Sequence, residues 1–388
     1  MILKTRFNLT ICVAVYFFLF GCSTSEKKGV ELIQLDVSAS YPVKEIQLED
    51  IADIEYLQIE VNEDFLFAGD PLIVASDKIV FSPDWTTGEA LFFSRNGKPL
   101  SKFNRKGNGP GDFSSPSLMS IYDEISDELF VRLNSKMMVY SSSGEFRRVL
   151  PLPAATTLLS QIVNFDSETF LLYDEEDLYP APFSFISKKD GSVVETVNMP
   201  IGEKLDLRIK IAMTDTYIVM YQPANSQIVR YKDGHLLADF SNDTIYYLTR
   251  NKELLPILVR KPKIHSMNPI ITLSSFVEAG NYEFMFTTKV VQVKFEDGGL
   301  PRTYLMRDKK TGSVYQQKIT FNDYKGKEVN ISHLTIRSTN DCRLGLIVLS
   351  LTELQEANSE NKLSGKLKEL VDKSDEDGND IYMLLHFK

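Results

Sequence analysis

A short hairpin that returns at a fixed spacing constrains this chain more than any other feature. Leu91, Phe92 and Phe93 form an apolar run, Arg95-Asn96-Gly97 follows, and Leu100 and Phe103 resume the apolar spacing. Asn and Gly tolerate the positive φ that a tight hairpin demands. Gly144, in MMVYSSSGEFRRVL, lies 47 residues after Gly97, and Gly191, in FSFISKKDGSVVETV, lies another 47 on. The same position falls on Lys252 in IYYLTRNKELLPIL, 61 residues later, and on Gly312 in TYLMRDKKTGSVYQQKI, 60 after that. Pro99 sits in the return strand of the first copy. It has no N–H to give to a ladder, so that strand belongs at a sheet edge.

A repeat in the forties is the length of one four-stranded propeller blade, and the longer intervals accommodate insertions. Short apolar runs broken by Asp, Asn, Gly and Ser fill the gaps between markers, as in an all-β chain. The prediction is an all-β, six-bladed β-propeller with four-stranded antiparallel blades. Residues 53–60 and 381–387 share the last blade and tie the ring shut. Blade four holds a surplus pair of strands, either near Ile209–Tyr221 or around Gly234. Leu363, Leu367, Leu370 and Val371 recur at helical spacing with Lys366, Lys368 and Glu369 opposite. That predicts one C-terminal amphipathic helix, from about Glu353 to Lys373, inserted in the last blade.

The start of the chain reads as an address. Lys4 and Arg6 precede a nearly unbroken apolar run from Leu9 to Phe20, too short to span a bilayer of ~30 Å as a helix. Leu19-Phe20-Gly21-Cys22 resembles a bacterial lipobox, with Phe20 bulkier than is usual there. The resemblance implies lipid attachment (palmitate and related acyl chains) at Cys22 after cleavage. The domains are then a lipoprotein signal peptide over 1–21, a lipidated tether over 22–40 and the propeller over 41–388. Of three cysteines, Cys12 leaves with the signal and Cys22 takes the lipid. Cys342 remains, so there is no disulfide framework, and it reads as a small buried residue. Loss of Lys4 and Arg6 takes the formal charge from −10 to −12. An acidic chain without a basic patch is a poor partner for nucleic acid.

The lipobox, the hairpins, the loop Gly107-Asn108-Gly109-Pro110-Gly111-Asp112-Phe113 and the late helix with a short terminal strand together resemble the six-bladed propeller lipoproteins of Bacteroidetes. Those are similar in turn to NHL-repeat propellers. The resemblance covers essentially residues 22–388. It implies a bacterial cell envelope location, at the outer membrane, and no particular reaction.

Local chemistry is sparse. The Gly107–Phe113 loop has no Gly-Lys-Ser/Thr and no helix start behind it, so it is not a phosphate cradle. It reads as the crossing from one blade to the next, on the face where ligands bind. Arg105, Lys106, Asn108 and Asp112 are therefore candidate ligand-binding residues, joined by Asp84 and Trp85, whose indole could stack on a sugar. Asp372–Asp380 is acidic, but an EF-hand register puts Lys373 and Leu384 at its first and twelfth positions. His235, His265, His333 and His386 form no HExxH or other close pair and read as surface or packing residues. No catalytic residue, metal ligand or cofactor emerges. Two functions follow. One is a lipid-anchored, non-catalytic binding module for a glycan, peptide or partner protein. The other is a propeller lyase or hydrolase acting on a sugar or lactone, with Ca²⁺ in the channel as its candidate metal, which predicts inward carboxylates near the axis.

Overall fold

The computed structural model describes residues 32–388 except 67–72, 75–78, 85–86, 114–119, 134, 154–159, 175–180, 201, 213–217, 225, 337–340 and 376–377. The predicted hairpins are present, and they build a β-propeller. Blade one orders its strands Ile73–Val74, Ile79–Asp84, Glu89–Ser94 and Pro99–Asn104. Blade two has Ile121–Asp123, Glu128–Arg132, Lys136–Tyr140 and Phe146–Pro151, and blade three has Gln161–Asn164, Thr169–Tyr173, Phe183–Ser187 and Val193–Val197. Every pair within these blades is antiparallel.

The predicted count of six four-stranded blades is corrected. Five sheets have four or more strands and form the blades, with four, four, four, five and seven strands. Ring closure falls to a three-stranded sheet in which Ile381–Phe387 lies between Leu344–Leu349 and Ala52–Gln58. The pairing of the two chain ends is as predicted, with Phe387 opposite Ala52 and Ile381 opposite Gln58. The fourth strand expected there, at Leu334–Ile336, is a 3-10 turn over His333–Thr335 with a single bridge from Ile336 to Gly345. In blade four, Ile228–Tyr231 and Gly234–Leu237 belong to the sheet, while Ile209–Ala212 and Ile218–Tyr221 form a separate hairpin.

The N-terminal segment does something the sequence did not announce. Ile33–Asp36 adds a parallel strand to the outer edge of blade four, and Val43–Gln47 adds one to blade five. The chain then enters the closing sheet as Ala52–Gln58. Two exposed sheet edges are thereby covered. The folded body begins inside the stretch assigned to the tether (22–40), because Leu35 is buried in the core.

Apolar clusters lie between neighbouring sheets and trace the ring. Leu57, Phe93 and Leu384 join the closing sheet to blade one. Phe92, Tyr122 and Tyr140 join blades one and two, and Phe130 and Phe170 join two and three. Tyr173, Phe183, Ile228 and Leu237 join three and four, and a large cluster links four, five and the closing sheet. A sheet clasped on both sides has no polar face. Ala90 to Phe93 are accordingly all buried, whereas Pro99–Asn104 alternates half-buried and exposed at the blade's edge, as Pro99 requires.

The single helix is also corrected. Two helices, α1 (Leu351–Ser359) and α2 (Gly365–Val371), lie between the last two strands. Asn361 takes a left-handed conformation and ends the first; Ser364-Gly365 opens the second. Leu363, Leu367 and Val371 are buried as their spacing predicts, but Leu363 sits in the linker, bridged to Tyr324. Among the described residues no helix is long and apolar enough to cross a membrane.

Candidate functional site

The five marker residues are used in the same way. Gly97, Gly144, Gly191, Lys252 and Gly312 all have φ between 64° and 83°. At the first, Ser94 N–H donates to the Lys98 carbonyl at 2.9 Å and Gly97 N–H to the Ser94 carbonyl at 2.9 Å. Ser141/Gly144 and Thr249/Lys252 repeat the arrangement. Four of the tips also lean on the edge strand of the preceding sheet. Glu60 N–H donates to the Gly97 carbonyl, Arg105 Nε and Nη2 to the Gly144 carbonyl, and Arg148 Nη2 to the Lys188 carbonyl. Lys252 Nζ reaches Glu195 at 2.7 Å.

Those contacts account for several of the predicted binding residues. The Arg105 guanidinium is held by the next blade's hairpin at 2.9 and 3.1 Å. Asp112 Oδ2 accepts from Gly109 N–H at 3.0 Å and so folds the glycine loop on itself. Asp84 Oδ1 accepts from Thr87 N–H at 3.1 Å. Lys106 and Asn108 are exposed. A Cβ on Gly88 would lie 2.7 Å from Lys106 Cβ, so the Asp84 and Arg105–Phe113 loops are neighbours. Phe113 closes the crossing by burying its ring between blades one and two. Trp85 and Cys22 lie outside the described residues.

None of the predicted residues lines the cavity that the inner strands create. Blades two, three and four contribute Ser120-Ile121, Gln161–Asn164 and Ile228–Arg230, and the 3-10 turn adds His333 and Ile336. They bound a cavity of about 240 Å³. One water needs only ~10–15 Å³ of such space. The Gln161 amide braces the wall: its Nε2 donates to the Ile228 carbonyl at 2.8 Å, and its Oε1 accepts from Ile228 N–H at 3.0 Å.

Five buried polar atoms on residues of this lining make no hydrogen bond among the described residues: Ser120 Oγ, Asn164 Oδ1, Arg230 Nε, His235 Nδ1 and His333 Nδ1. Such orphans are rare, because each forfeits hydration without compensation. Arg230 makes no ion pair among the described residues. The two histidines share one environment. His235 is 2% exposed and stacks on Phe165, and His333 is 3% exposed and stacks on Phe286. Burial, helped by the charge of Arg230, pushes the His235 pKa down to about 3, against a weak opposing contact with the Asn164 backbone. Burial, helped by Arg302, pushes His333 down to about 4, against a similar contact with the Ser275 backbone. Both imidazoles are neutral at physiological pH. His333 Nε2 accepts from Ser226 N–H at 3.2 Å, which leaves the proton on Nδ1.

Among the described residues the lining contains no Asp or Glu, and its one hydroxyl orphan is Ser120 Oγ. Among the described residues no group of His, Cys, Asp and Glu is gathered to hold a metal ion. Cys342, half-buried, has its thiol pushed up by burial. His386 pairs with Glu55 at 2.9 Å across the closing sheet, and His265 is exposed. The histidines read as surface or packing residues, and His235 and His333 do pack on Phe rings, but their place at the cavity was not read from the sequence. The signal was faint: His235 follows the turn Lys232-Asp233-Gly234 into an apolar strand, and His333 follows Ser332, whose hydroxyl caps the 3-10 turn.

Residues 32–386 match a family described as a domain of unknown function, DUF4934. The chain belongs to the DUF4934 family. This member is similar in structure to a Bacteroides fragilis NCTC 9343 protein named as exported, with a TM-score of 0.61, 15% identity, and 92% of this chain and 99% of that one covered. It is also similar to a DUF4221-family protein of Bacteroides vulgatus ATCC 8482, with a TM-score of 0.47, 10% identity, and coverage of 87% and 98%. At such identities the likeness is one of fold. No curated protein matches this DUF4934 chain.

Proposed function

We propose that this DUF4934 protein is an exported, envelope-anchored, non-catalytic binding module. Its ligand is a small molecule, or the terminal unit of a glycan or peptide, held in the central cavity. The observation that carries the reading is the set of five orphaned polar atoms around a cavity of about 240 Å³. Convergent polar groups set beside aliphatic side chains are what small-molecule sites share, and Ile162, Ile228, Val229 and Ile336 supply the aliphatic part here. The lyase or hydrolase reading asked for inward carboxylates near the axis, and the described residues of the lining supply none. The signal-like start, the lipobox at Leu19–Cys22 and the similar Bacteroides fragilis protein named as exported support placement in the envelope, at the outer membrane. Two or more acyl chains on Cys22 anchor a protein stably, where one is marginal.

The binding test is a thermal-shift screen of the full chain in mild detergent against mono- and disaccharides, short peptides and envelope extracts. At least one class raises the Tm of the wild type, and the rise disappears in Ile336→Trp, which fills the cavity. No shift with any class, or a shift unchanged in Ile336→Trp, contradicts the proposal. For the anchor, cells fed an alkyne-bearing palmitate label the wild type and not Cys22→Ser; equal labelling of the two removes the anchor.

A further inference from the structure

The chemistry of the cavity wall selects among small ligands. Among the described residues Arg230 is its one charged side chain, and it faces His235 directly across the ladder of blade four. Its Nε is buried and makes no hydrogen bond, and no described carboxylate pairs with the guanidinium. A guanidinium held in a partly desolvated wall without a counter-charge is a carboxylate receptor, because its planar fork matches two carboxylate oxygens. His333 Nδ1–H is a second, neutral donor, and Asn164 Oδ1 is an acceptor. Among the described residues the rest of the wall is mixed, with Ile162, Ile228, Val229 and Ile336 beside Ser120, Gln161 and Ser226, and no Phe, Tyr or Trp lines it. A sugar ring would find no aromatic face to stack on. A free ammonium group would find no carboxylate, and Arg230 would repel it.

We infer that the cavity takes a small aliphatic monocarboxylate that carries one uncharged hydrogen-bonding group next to its acid, such as an N-acylated amino acid, a hydroxy acid or the C-terminal residue of a peptide. The inference rests on the cavity being the binding site. The carboxylate pairs with Arg230, the neighbouring carbonyl or hydroxyl accepts from His333 Nδ1–H, an amide N–H or hydroxyl donates to Asn164 Oδ1, and the branched side chain packs on the isoleucines.

Isothermal titration calorimetry of the full chain in mild detergent tests this with N-acetyl-leucine, N-acetyl-leucinamide and leucine. N-acetyl-leucine binds, and the amide and the free amino acid bind about 10–100-fold more weakly, the range expected for losing a charge-assisted hydrogen bond. In Arg230→Met the preference for acid over amide is gone, while His333→Phe weakens the acid and keeps that preference. Adding 2-hydroxy-4-methylpentanoate and N-acetyl-alanyl-leucine separates a free hydroxy acid from a peptide end; tighter binding of either agrees with the inference. It is overturned if none of the acids binds, if N-acetyl-leucinamide binds as tightly as N-acetyl-leucine, or if Arg230→Met changes nothing. Binding of the neutral amide that disappears in Ile336→Trp would overturn the carboxylate while leaving the cavity as the site. Binding unaffected by Ile336→Trp would overturn both.

Discussion

At the scale of single residues, two glycines with the same sign of φ carry different burdens. Gly97 has φ +83°, and a Cβ there would collide with the Gln58 carbonyl of the neighbouring sheet. Gly298 has φ +70° with nothing within 4 Å. Gly298→Ala should cost about 1 kcal/mol, the left-handed penalty alone. Gly97→Ala should cost ~2–4 kcal/mol, since it adds a clash in the joint between two sheets. Urea unfolding of both variants checks the difference, and equal losses would mean that the tip does not bear on its neighbour. The turn residues were legible in the sequence because Asn-Gly and Ser-Gly announce their backbone locally. Lys252 was legible only by its place in the repeat, and it does take φ 64°. The buried histidines were not legible, because nothing beside His235 or His333 in the chain reports the Phe that stacks on each. Both have pKa values below the ordinary 6.5, to about 3 and about 4. The unfolded chain therefore binds protons there that the folded chain refuses, so stability is full above about pH 6.5 and falls as pH drops toward 4. Chemical denaturation from pH 8 to pH 4 should show a smaller loss for His235→Phe/His333→Phe than for the wild type. An unchanged loss would mean that the imidazoles titrate normally.

At the scale of elements, the closing sheet is the weak point of the ring's logic. Ile381–Phe387 is the central strand of three, and Ile381, Met383, Leu384 and Leu385 are fully buried. Removing residues 381–388 should leave both remaining strands without a partner. The expected result is loss of the cooperative thermal transition and binding of a hydrophobic dye; a sharp transition in the truncated chain would show that the ring closes by other contacts. Helix α2 is tested by Leu367→Ala, fully buried, at a cost of ~2–5 kcal/mol. The pairing of the chain ends was legible because both are alternating or continuous apolar runs left over once the blades were filled. The break between the helices was present as Asn361 and Ser364-Gly365, but the leucine spacing runs straight through it. The parallel strand Ile33–Asp36 was hidden because only Leu35 in it is buried, so a polar tether and an edge strand look alike.

For the molecule as a whole, a cavity assembled from the inner strands of three blades and one turn has no local signature. Ser120, Asn164, Arg230, His235 and His333 are scattered over more than half of the chain and meet only once the ring is shut. The loops of Asp84 and of Arg105–Asp112 are neighbours, yet Arg105 and Asp112 are engaged in holding blades and loop together. That contrast is why binding is proposed at the cavity rather than at the crossing loop. The chain has four histidines, two at the cavity and two away from it. The most direct test is nuclear magnetic resonance of the histidine-labelled protein, titrated with an equimolar mixture of N-acetyl-leucine, galactose and N-acetylglucosamine. The account predicts that the imidazole signals of His235 and His333 move while those of His265 and His386 stay; no movement at His235 and His333, or movement at His265 or His386 alone, would contradict it.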